Sequence, residues 1–301
     1  MAQGGIIKNS VLLIDKIDNL ERASLPETME FSIARQHFYQ EVRQPDEHII
    51  LEKAALHIAQ EEYSSLEIDR YLNLLDDIAE EIRKRLPLEP YPLKTLQTIN
   101  RYLYEELKFV GNTTDYYDPR NSFLNDVIDR RTGIPITLSV VYLAIAQRID
   151  FPMVGIGMPG HFLIRPDQEE MEIFVDPFNQ GEILFLQDCQ DRLNQLFGQP
   201  VEMQPQFLET VTNRQLLARM LTNLKAIYLN KNQIEPALAA IERILLLFPN
   251  AALELRDRGI LYFRTHRWIE ARQDLELYLE MVPTADDRDV IRQLLNRMNN
   301  Q

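Results

Sequence analysis

A single cysteine, Cys189, and only ten glycines occur in the 301 residues, and each scarcity excludes something. One thiol forms no internal disulfide, which suits a reducing compartment and gives a cytoplasmic expectation. So few glycines, none of them grouped as a phosphate-cradling loop, argue against a nucleotide site. Long apolar runs are missing too. The most apolar helical segment, 138–146, is half a membrane span, and Lys8, Asp15, Lys16 and Asp18 break up the early apolar stretch, so neither a membrane segment nor a secretory core is expected. Basic charge is in deficit: 32 Lys and Arg stand against 46 Asp and Glu, a net of −14 that repels a phosphate backbone. No basic stripe interleaved with aromatics offsets this, and nucleic acid is excluded as a partner. His37, His48, His57 and His266 show no metal-ligand spacing, so no metal and no cofactor is expected.

What remains is a globular chain, 45% hydrophobic and 26% charged, long enough for two or three compact units. Its acid is unevenly spread. Residues 207–301 carry 13 basic and 12 acidic side chains, and the first 206 carry 19 and 34, which points to units with different surfaces. Residues 1–30 lack periodicity and read as an N-terminal extension. From 31 to 86 the pattern is helical: Leu51, Ala55 and Ile58 share one face, and Tyr71, Leu75, Ile78 and Ile82 another. Pro87, Pro90 and Pro92 end that run, because proline lacks the amide donor and disfavours helix in the residue before it. A helix with Leu96, Ile99, Leu103 and Leu107 inward follows. Residues 111–119 have turn chemistry, and Asn121 or Ser122 suits a helix cap. Gly133 suits a left-handed helix end, and Pro135 the first turn of an apolar helix.

After Ile149 the period changes. Segments 153–158, 161–165, 172–176 and 182–186 are short, β-branched and separated by turn residues, so an antiparallel meander follows a helical half. The fold class is α+β, in which a helical N-terminal half packs on a small antiparallel sheet and an α-helical tail follows. Helix returns near Gln187, with Cys189 and Leu193 inward. In the tail, Tyr228 recurs as Tyr262, Ile234 as Trp268, Ala237 as Ala271 and Pro249 as Pro283, a period of 34 residues. That period, with alanine in the second helix and proline at the end, resembles the tetratricopeptide repeat. Residues 286–298, with Val290, Leu294 and Met298 in line, would cap one end, and 207–222 would cover the other. The expected divisions are 1–30, 31–90, 91–205 and 206–301.

Chemistry is concentrated on two segments. If 166–171 connects a hairpin, Phe162 faces Val175, Ile164 faces Ile173, Arg165 faces Glu172 and His161 faces Asp176. A carboxylate so placed orients an imidazole as a general base, or simply satisfies it as a structural polar contact.

The motifs Phe109-Val110-Gly111-Asn112, Tyr117-Asp118-Pro119-Arg120-Asn121-Ser122, Gly133-Ile134-Pro135, Pro159-Gly160-His161-Phe162 and Val175-Asp176-Pro177 resemble the SirB-type branch of the transglutaminase-like (papain-like cysteine peptidase) superfamily. The resemblance spans roughly residues 45–285. It implies a transglutaminase-like core over 91–205, a catalytic His at His161 and Asp at Asp176, and a site shaped by Asn121, Gly133, Pro135 and Gly160. Active members open the central helix with a Gly-x-Cys motif, whose thiolate gains from the helix dipole. Here that cysteine position is Pro135, which has no nucleophilic atom. Two readings follow. One is a non-catalytic scaffold or regulatory adaptor that takes a protein or peptide partner through the cleft and the helical-repeat surface. The other is a hydrolase or acyl transferase in which Thr137 or Ser139 is the nucleophile on a His161–Asp176 dyad. A helix turns about 100° per residue, so a hydroxyl two or four places on points away from the cysteine's direction. The balance leans away from an enzyme.

Overall fold

The structure, a computed structural model, describes residues 32–89, 91–168 and 171–298; the expected N-terminal extension lies outside them. Within these residues the chain is α+β and divides into two compact units, 32–220 and 221–298. The helices of 31–90 thus share a unit with the sheet, and the division falls after residue 220 rather than at 206.

The first unit begins with α1 (Ile33–Val42), α2 (Leu51–Glu62) and α3 (Ile68–Arg83). The Ser32 side chain accepts a hydrogen bond from the Arg35 amide and starts α1, satisfying one of the donors a helix end leaves unpaired. The inward face of α3 is Tyr71, Leu75, Ala79 and Ile82, with Ala79 in the place expected for Ile78, which lies half-buried beside it. Next, α4 (Pro92–Asn100) runs into one π-helical turn, Arg101–Glu106. The extra residue in that turn buries Leu103 and Tyr104 and leaves Leu107 half-buried.

A two-residue parallel pairing, β1 (Val110–Gly111) with β2 (Thr132–Gly133), brackets α5 (Leu124–Arg130). Arg131, not Gly133, takes the left-handed conformation that ends α5. Gly133 is needed for closeness: a β-carbon there would lie 2.9 Å from Thr137 Oγ1 and 3.0 Å from Val127 Cγ1. The helix α6 (Pro135–Arg148) is buried on nearly every side, as its all-round apolar sequence requires. At its far end Arg148 pairs with Glu52 of α2 and Asp76 of α3, at 2.5 and 2.6 Å.

Against α6 lies a five-stranded antiparallel sheet in the order β6-β5-β4-β3-β7. Its strands are β3 (Met153–Ile156), β4 (Leu163–Pro166), β5 (Phe174–Asp176), β6 (Glu182–Leu184) and β7 (Thr210–Val211). The last falls in a segment where no strand was expected: Thr210 and Val211 pair with Ile156 and Gly155 at the sheet edge. Helix α7 (Leu186–Phe197) buries Cys189 against Ile156, Met158, Leu163 and Phe174, and its Leu193 is also fully buried. Helix α8 (Asn213–Asn230) starts where Asp46 accepts the Asn213 and Arg214 amides at 2.8 and 2.9 Å.

The second unit takes the rest of α8 with α9 (Ile234–Leu247), α10 (Ala252–Arg264), α11 (Trp268–Met281) and α12 (Arg288–Met298). Its repeat is visible bond by bond. Gln233 N–H donates to the Tyr228 carbonyl at 2.8 Å and Arg267 N–H to Tyr262 at 2.9 Å; Ala251 to Phe248 and Ala285 to Val282 are both 3.1 Å. Asn232 and His266, 34 apart, both adopt positive φ at the interhelix turns. Ala237 and Ala271 are fully buried. On α12 the buried residues are Ile291 and Met298, while Val290, expected inward, is 58% exposed.

Candidate functional site

The turn that opens α6 is built by hydrogen bonds rather than by a nucleophile. Thr137 is fully buried; its hydroxyl donates to the Asn121 carbonyl at 2.7 Å and accepts from the Ile134 amide at 3.2 Å. Ser139 is equally buried, and its hydroxyl donates to the Pro135 carbonyl at 2.8 Å, one helical turn back. Both hydroxyl protons are therefore directed at backbone carbonyls. Pro135 occupies the first turn of α6, where an amide donor would have no helical partner.

Asn121 does not cap α5, whose start at Phe123 has no side-chain cap. Instead it joins the 112–117 loop to the α6 turn. Its Nδ2 donates to the Asp115 and Tyr116 carbonyls at 2.7 and 3.2 Å, and its Oδ1 accepts from Asn112 Nδ2 at 3.1 Å. Asp118 caps the short turn Pro119–Ser122, accepting from the Arg120 amide at 3.0 Å. Beside it, Arg120 holds the Asp118 carboxyl below the usual carboxylate range.

On the sheet, the hairpin register differs from the one expected by two residues: Ile164 pairs with Val175, not with Ile173. A shift of two keeps each side chain on its face of the sheet but moves it along the strand. His161 consequently stands before β4, in the turn after Gly160, and is not cross-strand to Asp176. Arg165 pairs with Val154 and donates to the Gln168 carbonyl at 3.4 Å, rather than meeting Glu172. Gly160 has φ +73°, and a β-carbon on it would run into Leu196 of α7 at 2.6 Å. It is thus required both for the turn and for the approach of α7.

The partner of Asp176 comes from elsewhere. Arg192, on α7, pairs with Asp176 through Nη1 and with Glu182 through Nη2, the latter at 2.6 Å. Asp176 also accepts from the Phe178 and Asn179 amides at 3.0 and 3.2 Å and from Asn179 Nδ2 at 2.8 Å. Its lone pairs are filled by the turn Pro177–Asn179 and by the guanidinium. Burial works against the charge on Arg192, but Asp176 and Glu182 outweigh it and raise its pKa. Among the described residues no hydrogen bond holds the His161 ring. Burial, opposed by Asp176 and assisted by Arg192, keeps the imidazole below its ordinary range, so it is neutral at pH 7. Cys189 is fully buried, its thiol pushed up to about 11, and is not a nucleophile at neutral pH.

Arg192 carried no signal in the sequence beyond its place next to the inward Cys189–Leu193 stripe. Behind the pair, Tyr142 OH donates to Asn100 Oδ1 at 3.0 Å and Asn100 Nδ2 to the Gly181 carbonyl at 2.6 Å, tying α6 and α4 to the turn before β6. Among the described residues no group of three or more His, Cys, Asp or Glu converges to hold a metal ion, and no helix is long and apolar enough to cross a membrane.

A helical half packed on a small antiparallel sheet, with a central apolar helix against that sheet, is the architecture of a transglutaminase-like domain. The chain matches that superfamily over residues 69–222 and the tetratricopeptide repeat over 224–296. It is 36% identical to a UPF0162 protein of Xylella fastidiosa (strain 9a5c), over 85% of this chain and 92% of that one. With a UPF0162 protein of Vibrio cholerae identity is 30%, covering 66% and 74%. A partial likeness extends to F-box only protein 21 of Homo sapiens, 31% identical over 59% of this chain and 29% of that protein. No solved structure matches the chain. The chain belongs to the transglutaminase-like superfamily, in the group of UPF0162 proteins.

Proposed function

We propose that this protein is a SirB-type, non-catalytic member of the superfamily, a cytoplasmic scaffold or adaptor that holds a peptide or protein segment. The observation that carries this reading is Pro135 at the head of α6, where the family motif of active members has cysteine. Commitment of the Thr137 and Ser139 hydroxyls to backbone carbonyls supports it, and so does the Asp176–Arg192 pair, which leaves His161 without an orienting carboxylate. A general base needs a proton within hydrogen-bond reach and a tautomer fixed by its neighbour. The repeats add a second surface of the kind that stacked helix pairs use for proteins.

Purified full-length protein incubated with p-nitrophenyl acetate, casein and an amine acceptor is expected to give no turnover above buffer. Turnover lost in His161→Ala, and in Thr137→Val or Ser139→Ala, would establish instead the hydrolase or acyl transferase with a hydroxyl nucleophile.

A further inference from the structure

Among the described residues the Arg219 guanidinium of the sheet-bearing unit has neither an acid nor a carbonyl beside it, whereas Arg131 and Arg165, also without an acid, donate to the Leu107 and Gln168 carbonyls. Arg219, on α8, lies over the Phe162 ring with 5.1 Å between its Cζ and the ring centre. Its Nη1 sits against the chain just after β3: a β-carbon on Gly157 would come within 2.5 Å of it and 3.1 Å of Val211 Cγ1. Glycine at 157 therefore makes the notch that holds the guanidinium. Among the described residues Arg219 has no carboxylate partner and no hydrogen bond, and its electrostatic neighbour is Tyr116. Burial pushes its pKa down to about 10, which still leaves a cation at neutral pH.

Three half-buried arginines set the contrast. Arg148 has Glu52 and Asp76, Arg192 has Asp176 and Glu182, and Arg258 has Asp274. In a chain of net charge −14, an unpaired guanidinium does not reflect a shortage of acids. Desolvating a cation without a partner opposes folding, so the group is stable there only because the rest of the unit outweighs it. Tyr116, its neighbour, belongs to a group of aromatics. Tyr116 and Tyr117 are 40% and 48% exposed and meet edge-on at 5.3 Å, and Tyr116 meets Phe178, two residues after Asp176, at 6.3 Å. A planar cation backed by a ring and edged by exposed tyrosines is suited to a planar anion with an apolar flank.

We propose that Arg219 is the carboxylate-recognition group of this unit, binding a peptide through a terminal or side-chain carboxylate while Tyr116 and its aromatic neighbours contact the adjoining apolar group. That the ligand is a peptide rests on the scaffold reading; the carboxylate itself does not. A guanidinium fork matches one carboxylate with two parallel hydrogen bonds. A phosphate dianion calls for a second cation, and Arg192 is already held by two acids.

The test uses the full chain, wild type and Arg219→Met, titrated calorimetrically with N-acetylphenylalanine, N-acetylphenylalaninamide, N-acetylglutamate α-amide and inorganic phosphate. The expected result is that the free acid binds about tenfold to a hundredfold more tightly than its amide, the worth of a charge-assisted contact. Arg219→Met is expected to erase that preference and to melt at or above the wild-type temperature, because the charge removed had no partner. Comparable binding of the glutamate derivative identifies a side-chain carboxylate; its failure beside a binding free acid identifies a chain terminus. Tighter binding of phosphate, an acid preference that survives Arg219→Met, or no binding of any probe overturns the proposal. So does a lowered melting temperature in Arg219→Met, which would make the arginine structural. Equal binding of acid and amide defeats the proposal and leaves the scaffold reading standing; turnover lost in His161→Ala defeats the scaffold reading and leaves Arg219 as a substrate-carboxylate group.

Discussion

In residues 221–298 a hydrogen bond from Gln233 to Tyr228 is repeated 34 residues later from Arg267 to Tyr262, and the alanines, caps and left-handed turn residues repeat with it. In residues 32–220 nothing that builds the site repeats. Asp176 finds Arg192 sixteen residues on, Thr137 finds the Asn121 carbonyl sixteen residues back, and Arg219 meets Phe162 from a helix 57 positions away in the chain. The repeats are assembled from neighbours in sequence, so a local pattern specifies them. The site is assembled from elements that meet only once the unit has folded. The same contrast separates the two ends of the site. The head of α6 is marked by a proline visible at once, whereas the hairpin depends on a register two residues away from the expected one.

The contrast is open to attack through stability. Replacing Arg192 with Ala leaves the Asp176 carboxylate, 2% exposed, without its guanidinium. Removing one partner of a buried pair costs about 3–5 kcal/mol, and urea unfolding followed by tryptophan-independent circular dichroism should register a loss of that order. His161→Ala, by contrast, should cost well under 1 kcal/mol, since no hydrogen bond is lost. If His161→Ala proves the costlier of the two, the imidazole rather than the guanidinium is the structural partner of Asp176.

Next in size is Leu275→Ala, at a fully buried position facing Gly259 across α10 and α11. A cavity there should cost about 2–5 kcal/mol. Because the contacts of residues 221–298 are local, calorimetry should show that cost as a shift of one transition, with the other unmoved. A uniform shift of the whole melt would mean that the two units unfold as one and that locality does not extend to energetics.

The smallest effect is on titration. With its folded pKa below the ordinary value, His161 takes up its proton more readily in the unfolded chain, so its contribution to stability is present above about pH 6.5 and fades as pH falls towards the folded value. His57, lowered by burial, acts in the same direction. Proton NMR should place the His161 midpoint below that of a free histidine. Arg192→Met should raise it, because the guanidinium depresses the pKa and Asp176, freed of its partner, elevates it. No upward movement in that variant would show that Arg192 is not felt at the imidazole.

Much of the chain was legible from pattern. The inward residues of α2, the buried Cys189 and Leu193, the change of period after Ile149 and the 34-residue repeat all rest on side chains three, four or two apart, which geometry places on one face whatever else the chain does. Failures came where the pattern has no register of its own. Gly133 suits a left-handed helix end by sequence, yet Arg131 takes that conformation, since a glycine needed for close approach looks in sequence like one needed for its φ. Val290 and Ile291 are adjacent apolar residues, and only the direction of α12 against α11 selects Ile291 for burial. Thr210 and Val211, too few to show an alternation, became an edge strand because β3 had unpaired backbone to offer.

The sequence by itself determined that the central helix opens on a residue without a nucleophilic atom. It also determined that the acid-rich part bears a sheet and that the tail repeats, because these depend on residue identity and short spacings. Tertiary structure alone decided which cation neutralises Asp176 and that Arg219 lies in a glycine notch with no acid near it. Those outcomes depend on where α7 and α8 return to the sheet. Charge pairing acts over a few ångströms of space rather than over any fixed distance along the chain.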